Sequence, residues 1–439
     1  MGDHLARVPA EVRGGAGRTG GLTAMLGLVV NPVAGVGGPA GLAGSDGADV
    51  QRLALARGAR SRVQERAVLA LTTLAERHPG LAVATVPGAM GADAVRAAGL
   101  VPCVVGAGSV DAGSREEGVN EVTEAADTSR AVAALAAAGA DLILVVGGDG
   151  TLRDAVSGLG AVAHPSGEKL DGGRCDDGSA LGAESCRQAH GLPAVLGVPA
   201  GVKMYSPVFA VSPRAAGSIA ADWVDHDGLP TEEREVLDID ETAMRRARVD
   251  PTLYGMLRVP HRAGRTQARK APTPVTEAAA VEAAARGAVS RMRQGVRYLL
   301  GPGGTTAEIA RQLGVEGSPL GVDVVLDGAV VVRGASAQEL LAQISEGPAQ
   351  AVITVIGGQG FLLGRGNQQL SASVLRALGD DPLLVVAPEQ KLIDLHGRPL
   401  LVDTGDTELD ARLAGHVRII TGVGTTSLYA VTAPELSLI

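Results

Sequence analysis

Residues Asp141 to Thr151 read Asp-Leu-Ile-Leu-Val-Val-Gly-Gly-Asp-Gly-Thr, and no other stretch restricts the fold as much. The uninterrupted apolar run Leu142 to Val146 suits a strand covered on both faces, as in a parallel sheet flanked by helices. It ends in glycines that bracket a single carboxylate, Asp149. Glycine lets the backbone turn sharply there and brings bare amides against an anion. The helix-forming segment Leu152-Arg153-Asp154-Ala155-Val156 would turn its N-terminus toward the same anion. Gly147, Gly148, Gly150 and Thr151 are therefore expected to cradle phosphate. Asp149 is placed to hold Mg2+ through water, or to take the proton of a hydroxyl that attacks a phosphoryl group. An isolated Gly-Asp-Gly is commonly just a tight turn whose Asp bonds its own backbone. The strand-loop-helix context favours the phosphate reading here.

A second corner of the same kind opens the folded part. Met25 to Val30 reads as a strand running into Asn31-Pro32 and the glycines Gly35, Gly37 and Gly38. Two such loops on one carboxyl edge mark the usual ligand position of an open parallel sheet. Val50 to His78 predicts a helix closed by Pro79-Gly80, and strands over 81–86 and 101–105, with a helix from Ala92, continue the β-α-β alternation. Val195 to Pro199 is a further buried strand whose glycine-rich exit carries Lys203. That lysine would neutralise a phosphate as a point charge, unless it is a solvated lysine of an exposed turn. Ser212 to Val224 predicts the helix that closes the first domain.

Between residues 163 and 192 the periodicity lapses, and a loop of that length reads as an insertion. His164, Cys175, Cys186 and His190 within it are zinc-compatible in type, but they lack the short C-x2-C spacing of strong zinc motifs. From Glu235 the pattern changes: Glu235 to Asp240 and Tyr254 to Val259 alternate with period two, which predicts antiparallel strands wetted on one side. An exposed basic linker over 260–275 precedes a helix from Val275 to Arg293. Strand-glycine corners then recur at 298–306, 351–360, 383–388 and 417–426. Ile353 to Gly360 echoes the main motif with Gln359 in place of the aspartate, so Gly357, Gly358, Gln359 and Gly360 would bind or position rather than react. Arg365 offers a fork for phosphate, and Asn367 and Gln368 offer amides for a base or ribose. The competing reading is a second glycine turn bonded to its own loop.

A chain of 439 residues, 46% apolar, can bury more than one core. The expected division is a frayed tail over 1–24, an α/β domain over 25–225 of Rossmann-like character, and a β-rich C-terminal domain over 226–439, with the ligand in the cleft between the domains. The formal net charge of -9 disfavours a nucleic-acid partner, whose binding needs clustered cations. No run of 18 apolar residues occurs, so no membrane span is expected. Three cysteines are too few for a disulfide framework, which fits a reducing compartment and a cytoplasmic protein.

Gly147 to Thr151 matches the GGDGT signature shared by NAD kinases, diacylglycerol-type lipid kinases and, with a small variation, ATP-type phosphofructokinases. The chain most resembles the ATP-NAD kinase-like branch that includes the acetoin-catabolism X protein (AcoX). The words that carry this are Asn31 to Gly38, Ala126-Asp127-Thr128, Gly147 to Asp154, Gly197 to Met204, Gly301 to Thr306, Ile356 to Phe361, Gly364 to Gln369 and Val402 to Asp406. The resemblance implies transfer of the terminal phosphoryl group of ATP, with Mg2+, or of polyphosphate, to the 2'-hydroxyl of the adenosine ribose of NAD. It implies that Asp149 activates that hydroxyl and that Asn31, Gly35, Gly147, Gly148, Gly150, Thr151, Lys203 and Gly357 to Gly360 surround the nucleotide with Arg365 and Asn367. It also implies a homo-oligomer. The Asn-Glu or Asn-Asp pair of ordinary NAD kinases is missing after the motif, which leaves another small metabolite as acceptor, or a non-catalytic dinucleotide sensor, as alternatives.

Overall fold

The structure is a computed structural model. It describes residues 24–41, 48–105, 123–163, 191–201, 204–238, 252–262, 265–266, 278–318 and 320–436.

The first half is built on five parallel strands: β1 (Leu26–Val30), β2 (Ala82–Thr85), β3 (Val101–Val104), β4 (Leu142–Gly147) and β5 (Ala194–Pro199), in the order β3-β2-β1-β4-β5. The apolar runs of β1, β4 and β5 are buried throughout, as strands covered on both faces require. Register pairs Val29 with Val145 and Val146 with Val198. The helices are α1 (Ala48–Ala56), α2 (Val63–Arg77), α3 (Ala92–Ala97), α4 (Ala125–Ala137), α5 (Asp149–Ala163) and α6 (Pro213–Asp225). α2 packs on α6 and α4 on α5. The single helix expected over 50–78 is instead two, because the chain turns at Gly58, which takes a positive φ of 75°, and re-enters the helix at Val63.

The strand order places β1 beside both β2 and β4, so the direction of winding reverses between β1 and β4. Such a switch point leaves a crevice outside the carboxyl ends of its two strands. The loops after β1 and β4 are the two glycine corners of the sequence, and they fall at that crevice.

The predicted antiparallel pair is present as β6 (Thr231–Asp238) and β7 (Thr252–Pro260). Val236, Leu257 and Val259 of this ribbon join the core of the first sheet. The second half holds α7 (Ala278–Val289) and nine strands: β8 (Arg297–Leu300), β9 (Asp323–Leu326), β10 (Ala329–Val332), β11 (Ala349–Thr354), β12 (Phe361–Leu363), β13 (Leu383–Val386), β14 (Leu400–Val402), β15 (Gly415–Gly422) and β16 (Thr425–Thr432). They form one mixed sheet in the order β10-β9-β8-β11-β13-β15-β16-β14-β12. Alternate residues serve opposite faces. Leu299, Ala351 and Ile353 enter one core, while Leu300 and Val352 enter another with Ala284, Ala285 and Ala288 of α7 and Ile309 of α8 (Gly304–Gln312). The first of these cores also takes Leu340 of α9 (Ala337–Ser345), Val374 of α10 (Ala372–Ala377), Leu392 of α11 (Glu389–Ile393) and Leu409 of α12 (Thr407–Leu413). The corner expected over 417–426 is the tight β15–β16 hairpin, because Gly422 and Gly424 fold the chain straight back on itself. The architecture is thus an α/β N-terminal half and a β-rich C-terminal half. No helix among the described residues is long and apolar enough to cross a membrane.

A glycine-lined cleft between the two halves

The motif corner folds as a compact unit. Asp149 begins α5 and is 1% exposed. Its Oδ2 accepts from the Tyr205 amide at 2.6 Å, and its Oδ1 accepts from the Ser206 amide at 3.0 Å and the Ser206 hydroxyl at 2.6 Å. Thr151 Oγ1 accepts from Asn31 Nδ2 at 3.2 Å and from the Gly148 amide at 3.4 Å, so the two glycine corners are tied to one another. The Asn31 amide reaches the Val146 carbonyl at 3.1 Å, which locks the exit of β1 to that of β4.

Two close approaches explain why glycine stands where it does. A Cβ on Gly35, whose φ is +75°, would lie 2.3 Å from the Ala200 carbonyl oxygen. A Cβ on Gly201 would lie 2.3 Å from the Gly148 Cα, where only backbone could yield. The loops after β1, β4 and β5 therefore meet backbone to backbone. A Cβ on Gly150 would meet only the Arg153 guanidinium, at an ordinary contact distance of 3.9 Å. Lys203 lies outside the described residues, as do His164, Cys175, Cys186 and His190.

The second half closes over these loops. Gln359 donates to the Met204 carbonyl at 2.9 Å and Gln368 to the Gly201 carbonyl at 3.2 Å. Gly357, Gly358 and Gly360 form the turn that carries Gln359. Arg365 is buried: it donates to Asp403 at 2.8 Å and to the Val211 carbonyl at 3.0 Å, and stacks 4.0 Å from the Phe361 ring centre. Asn367 donates to the Leu362 carbonyl at 2.8 Å and accepts from the Gly364 amide at 3.0 Å, bracing its own loop.

Between the halves lies a cleft of about 90 Å³ lined by Gly35, Ala200, Gly201, Met204, Gly364, Gln368 and Asp403, and by the arginines Arg60, Arg62 and Arg66. That is room for a phosphate-sized group, well short of the roughly 300–1,000 Å³ of whole-ligand pockets. Arg66, on α2, pairs with Asp403 and donates to the Pro199 carbonyl. Arg62 donates to the Thr404 carbonyl at 3.0 Å and the Gly405 carbonyl at 2.7 Å. Burial pushes the Asp403 carboxyl up, but Arg66 and Arg365 outweigh it and hold the group at about 2. Asp410, behind Thr404, pairs with no cation among the described residues, and burial lifts it to about 6 against the hydrogen bonds of Thr404.

A larger cavity, about 850 Å³, lies along α2 and α6 and is lined by Arg77, Arg214, Arg262, Arg265, Asp222 and Glu435 among others. Its guanidiniums are met locally: Asp222 pairs with Arg77, Arg262 and Arg265, and Glu435 pairs with Arg214. It touches none of the glycine corners, so size alone does not make it the reaction site.

Sequence reasoning missed the cleft arginines and Asp403. Arg60, Arg62 and Arg66 fell within the single helix expected over 50–78 and were given no role, and the break at Gly58 places them at the cleft. Asp403 belonged to a recognisable word, Val402 to Asp406, to which no role was given.

A parallel sheet with glycine corners at its switch point, capped by a β-rich half across a cationic cleft, defines a two-part α/β protein. Comparison with known families narrows this class. Models of the ATP-NAD kinase N-terminal domain and the ATP-NAD kinase C-terminal domain match residues 26–165 and 293–431. The chain belongs to the ATP-NAD kinase-like family, which makes it a kinase-type phosphotransferase. No curated protein and no solved structure matched it.

Proposed function

We propose that the protein transfers the terminal phosphoryl group of ATP to the 2'-hydroxyl of NAD, giving NADP. The observation that carries this reading is that the loops after β1 and β5 line one arginine-lined cleft with the loop at Gly364 to Gln368, while the loop after β4, which holds Asp149, packs behind them against Gly201. Phosphoryl transfer asks a protein mainly for positioning and for neutralisation of charge. In this reading a new oxygen–phosphorus bond forms as the bond to the leaving ADP breaks, and Asp149 takes the proton of the attacking hydroxyl.

The donor set bears on Mg2+. No group of three His, Cys, Asp or Glu side chains that could hold a metal occurs among the described residues. Both oxygens of Asp149 accept hydrogen bonds, and Asp403 sits between two guanidiniums, an unfavourable place for a third cation. Mg2+ is therefore assigned to the substrate, arriving on the phosphates of ATP, as Mg2+ commonly does. A whole nucleotide exceeds the cleft, so its binding would part the contacts of Gln359 and Gln368 with the first half, or leave the base and ribose outside.

The test is incubation of purified protein with Mg-ATP and NAD, scored as NADP. NADP formation supports the reading. ADP release that requires a different hydroxyl compound would retain the kinase and replace the acceptor. The absence of both, with dinucleotide binding intact, would favour the sensor alternative.

A further inference from the structure

The cleft carries an imbalance of charge. Three guanidiniums line it, Arg60, Arg62 and Arg66, against one carboxylate, Asp403. Just outside, Glu65 pairs with Arg62 at 3.0 Å and Arg365 pairs with Asp403, which adds one charge of each sign and leaves the excess unchanged. Two of the three lining arginines are already engaged. Arg66 is held by Asp403 and the Pro199 carbonyl, and Arg62 by Glu65 and the carbonyls of Thr404 and Gly405.

Arg60 differs from both. Its side chain is exposed at the cleft and has no hydrogen-bond or ion-pair partner among the described residues. Its backbone is nonetheless fixed on either side. Ala59 is buried and its amide donates to the Ala54 carbonyl at 3.0 Å, while the Ser61 hydroxyl donates to the Ala34 carbonyl at 3.0 Å. That second bond ties the segment to the glycine loop after β1. A guanidinium uncommitted among the described residues is thus presented beside bare backbone at Gly35 and Gly201, in a space that fits one phosphate group.

We propose that Arg60 grips a phosphate group of the substrate at the cleft. The proposal rests on the reading of the cleft as the phosphoryl-transfer site, and it gives a role to a residue that the sequence motifs do not include. A guanidinium offers two parallel N–H donors to a phosphate, a geometry that an ammonium cannot reproduce. The phosphate belongs either to the donor's polyphosphate chain or to the pyrophosphate of the dinucleotide.

Binding of inorganic tripolyphosphate, Mg-ATP, NAD and adenosine to the wild type, Arg60→Ala and Arg60→Lys, measured by calorimetry, tests this. Arg60→Ala is expected to weaken tripolyphosphate at least about tenfold, with Arg60→Lys recovering part of the loss. Loss with ATP alone assigns the phosphate to the donor, and loss with NAD alone assigns it to the acceptor. Adenosine, which carries no phosphate, is expected to bind all three proteins alike. Undiminished binding of every phosphate ligand by Arg60→Ala would overturn the proposal, as would an equal loss for adenosine, which would mean general damage to the cleft. Because no turnover is read, a wild type that binds these phosphates and makes no NADP would defeat NAD as the acceptor while leaving the role of Arg60 standing.

Discussion

Arg66 and Asp403 lie 337 positions apart and meet as a buried ion pair that joins the two halves of the chain beside the cleft. The same Asp403 oxygen also accepts from Arg365, whose side chain is 3% exposed. One carboxylate thus compensates two guanidiniums, only one of which has a route to water. Asp403→Ala is expected to cost about 3–5 kcal/mol, because it strands Arg365 without a counter-charge in the interior. Arg66→Ala leaves the Arg365–Asp403 pair intact and should cost markedly less. Urea unfolding of the two variants compares them, and equal losses would contradict this division of roles.

Gly201 and Gly150 provide a matched pair of substitutions. A methyl group at Gly201 would press on the Gly148 backbone at 2.3 Å, whereas one at Gly150 meets nothing nearer than the Arg153 guanidinium at 3.9 Å. Gly201→Ala is expected to lower the thermal midpoint and to weaken nucleotide binding, because it separates the loops after β4 and β5. Gly150→Ala, within the first turn of α5, should unfold at or above the wild-type temperature, since alanine restricts the unfolded chain more than glycine does. Thermal unfolding of both variants checks this, and a Gly201→Ala midpoint equal to that of wild type would contradict the close approach.

Glu435 should make stability fall between mildly acidic and neutral pH. Burial, with Asp403 adding to it, pushes its carboxyl up to about 7. A folded value above the unfolded one means the native chain keeps a proton that the unfolded chain releases. Stability therefore drops as pH rises from about 4.5 to about 7, by up to about 3 kcal/mol, and is level for this group above that. Asp410 acts with the same sign up to about pH 6. Asp403 and Asp406, both held at about 2, act oppositely, and their contribution is lost only as pH falls below the usual carboxylate range. Urea midpoints at pH 5 and pH 8 should differ less in Glu435→Gln than in wild type, and an unchanged difference would contradict the assignment.

What could be read in advance and what could not divides along physical lines. The strands β1, β4 and β5 were legible because unbroken apolar runs ending in glycine leave few alternatives, and the ribbon β6–β7 because its period-two pattern is unmistakable. The split between α1 and α2 was not legible, since apolar periodicity continues across Gly58 and only tertiary packing decides whether a helix does. The β15–β16 hairpin read as one more strand-glycine corner because a glycine after a strand serves a tight turn and a ligand loop equally well. Within the site, local words gave the motif corner. The Arg66–Asp403–Arg365 cluster, by contrast, joins residues from three distant segments, and no local pattern announces such a meeting. Arg365 and Asn367 were expected to offer their side chains to a ligand, and the structure places both in contact with neighbouring protein groups.

Asp149 carries the central claim, and its surroundings allow a clean test. The substitution Asp149→Asn sets an amide NH2 against one of the donors at Tyr205 or Ser206, an expected loss of about 1–3 kcal/mol. Turnover is then best measured well below the unfolding temperature of the variant. The most direct measurement is transfer of labelled phosphate from Mg-ATP to NAD by the wild type and by Asp149→Asn, with nucleotide affinity determined alongside. The account predicts labelled NADP from the wild type and a turnover at least about a hundredfold lower in the variant, with affinity little changed. Equal turnover in the two proteins would contradict it.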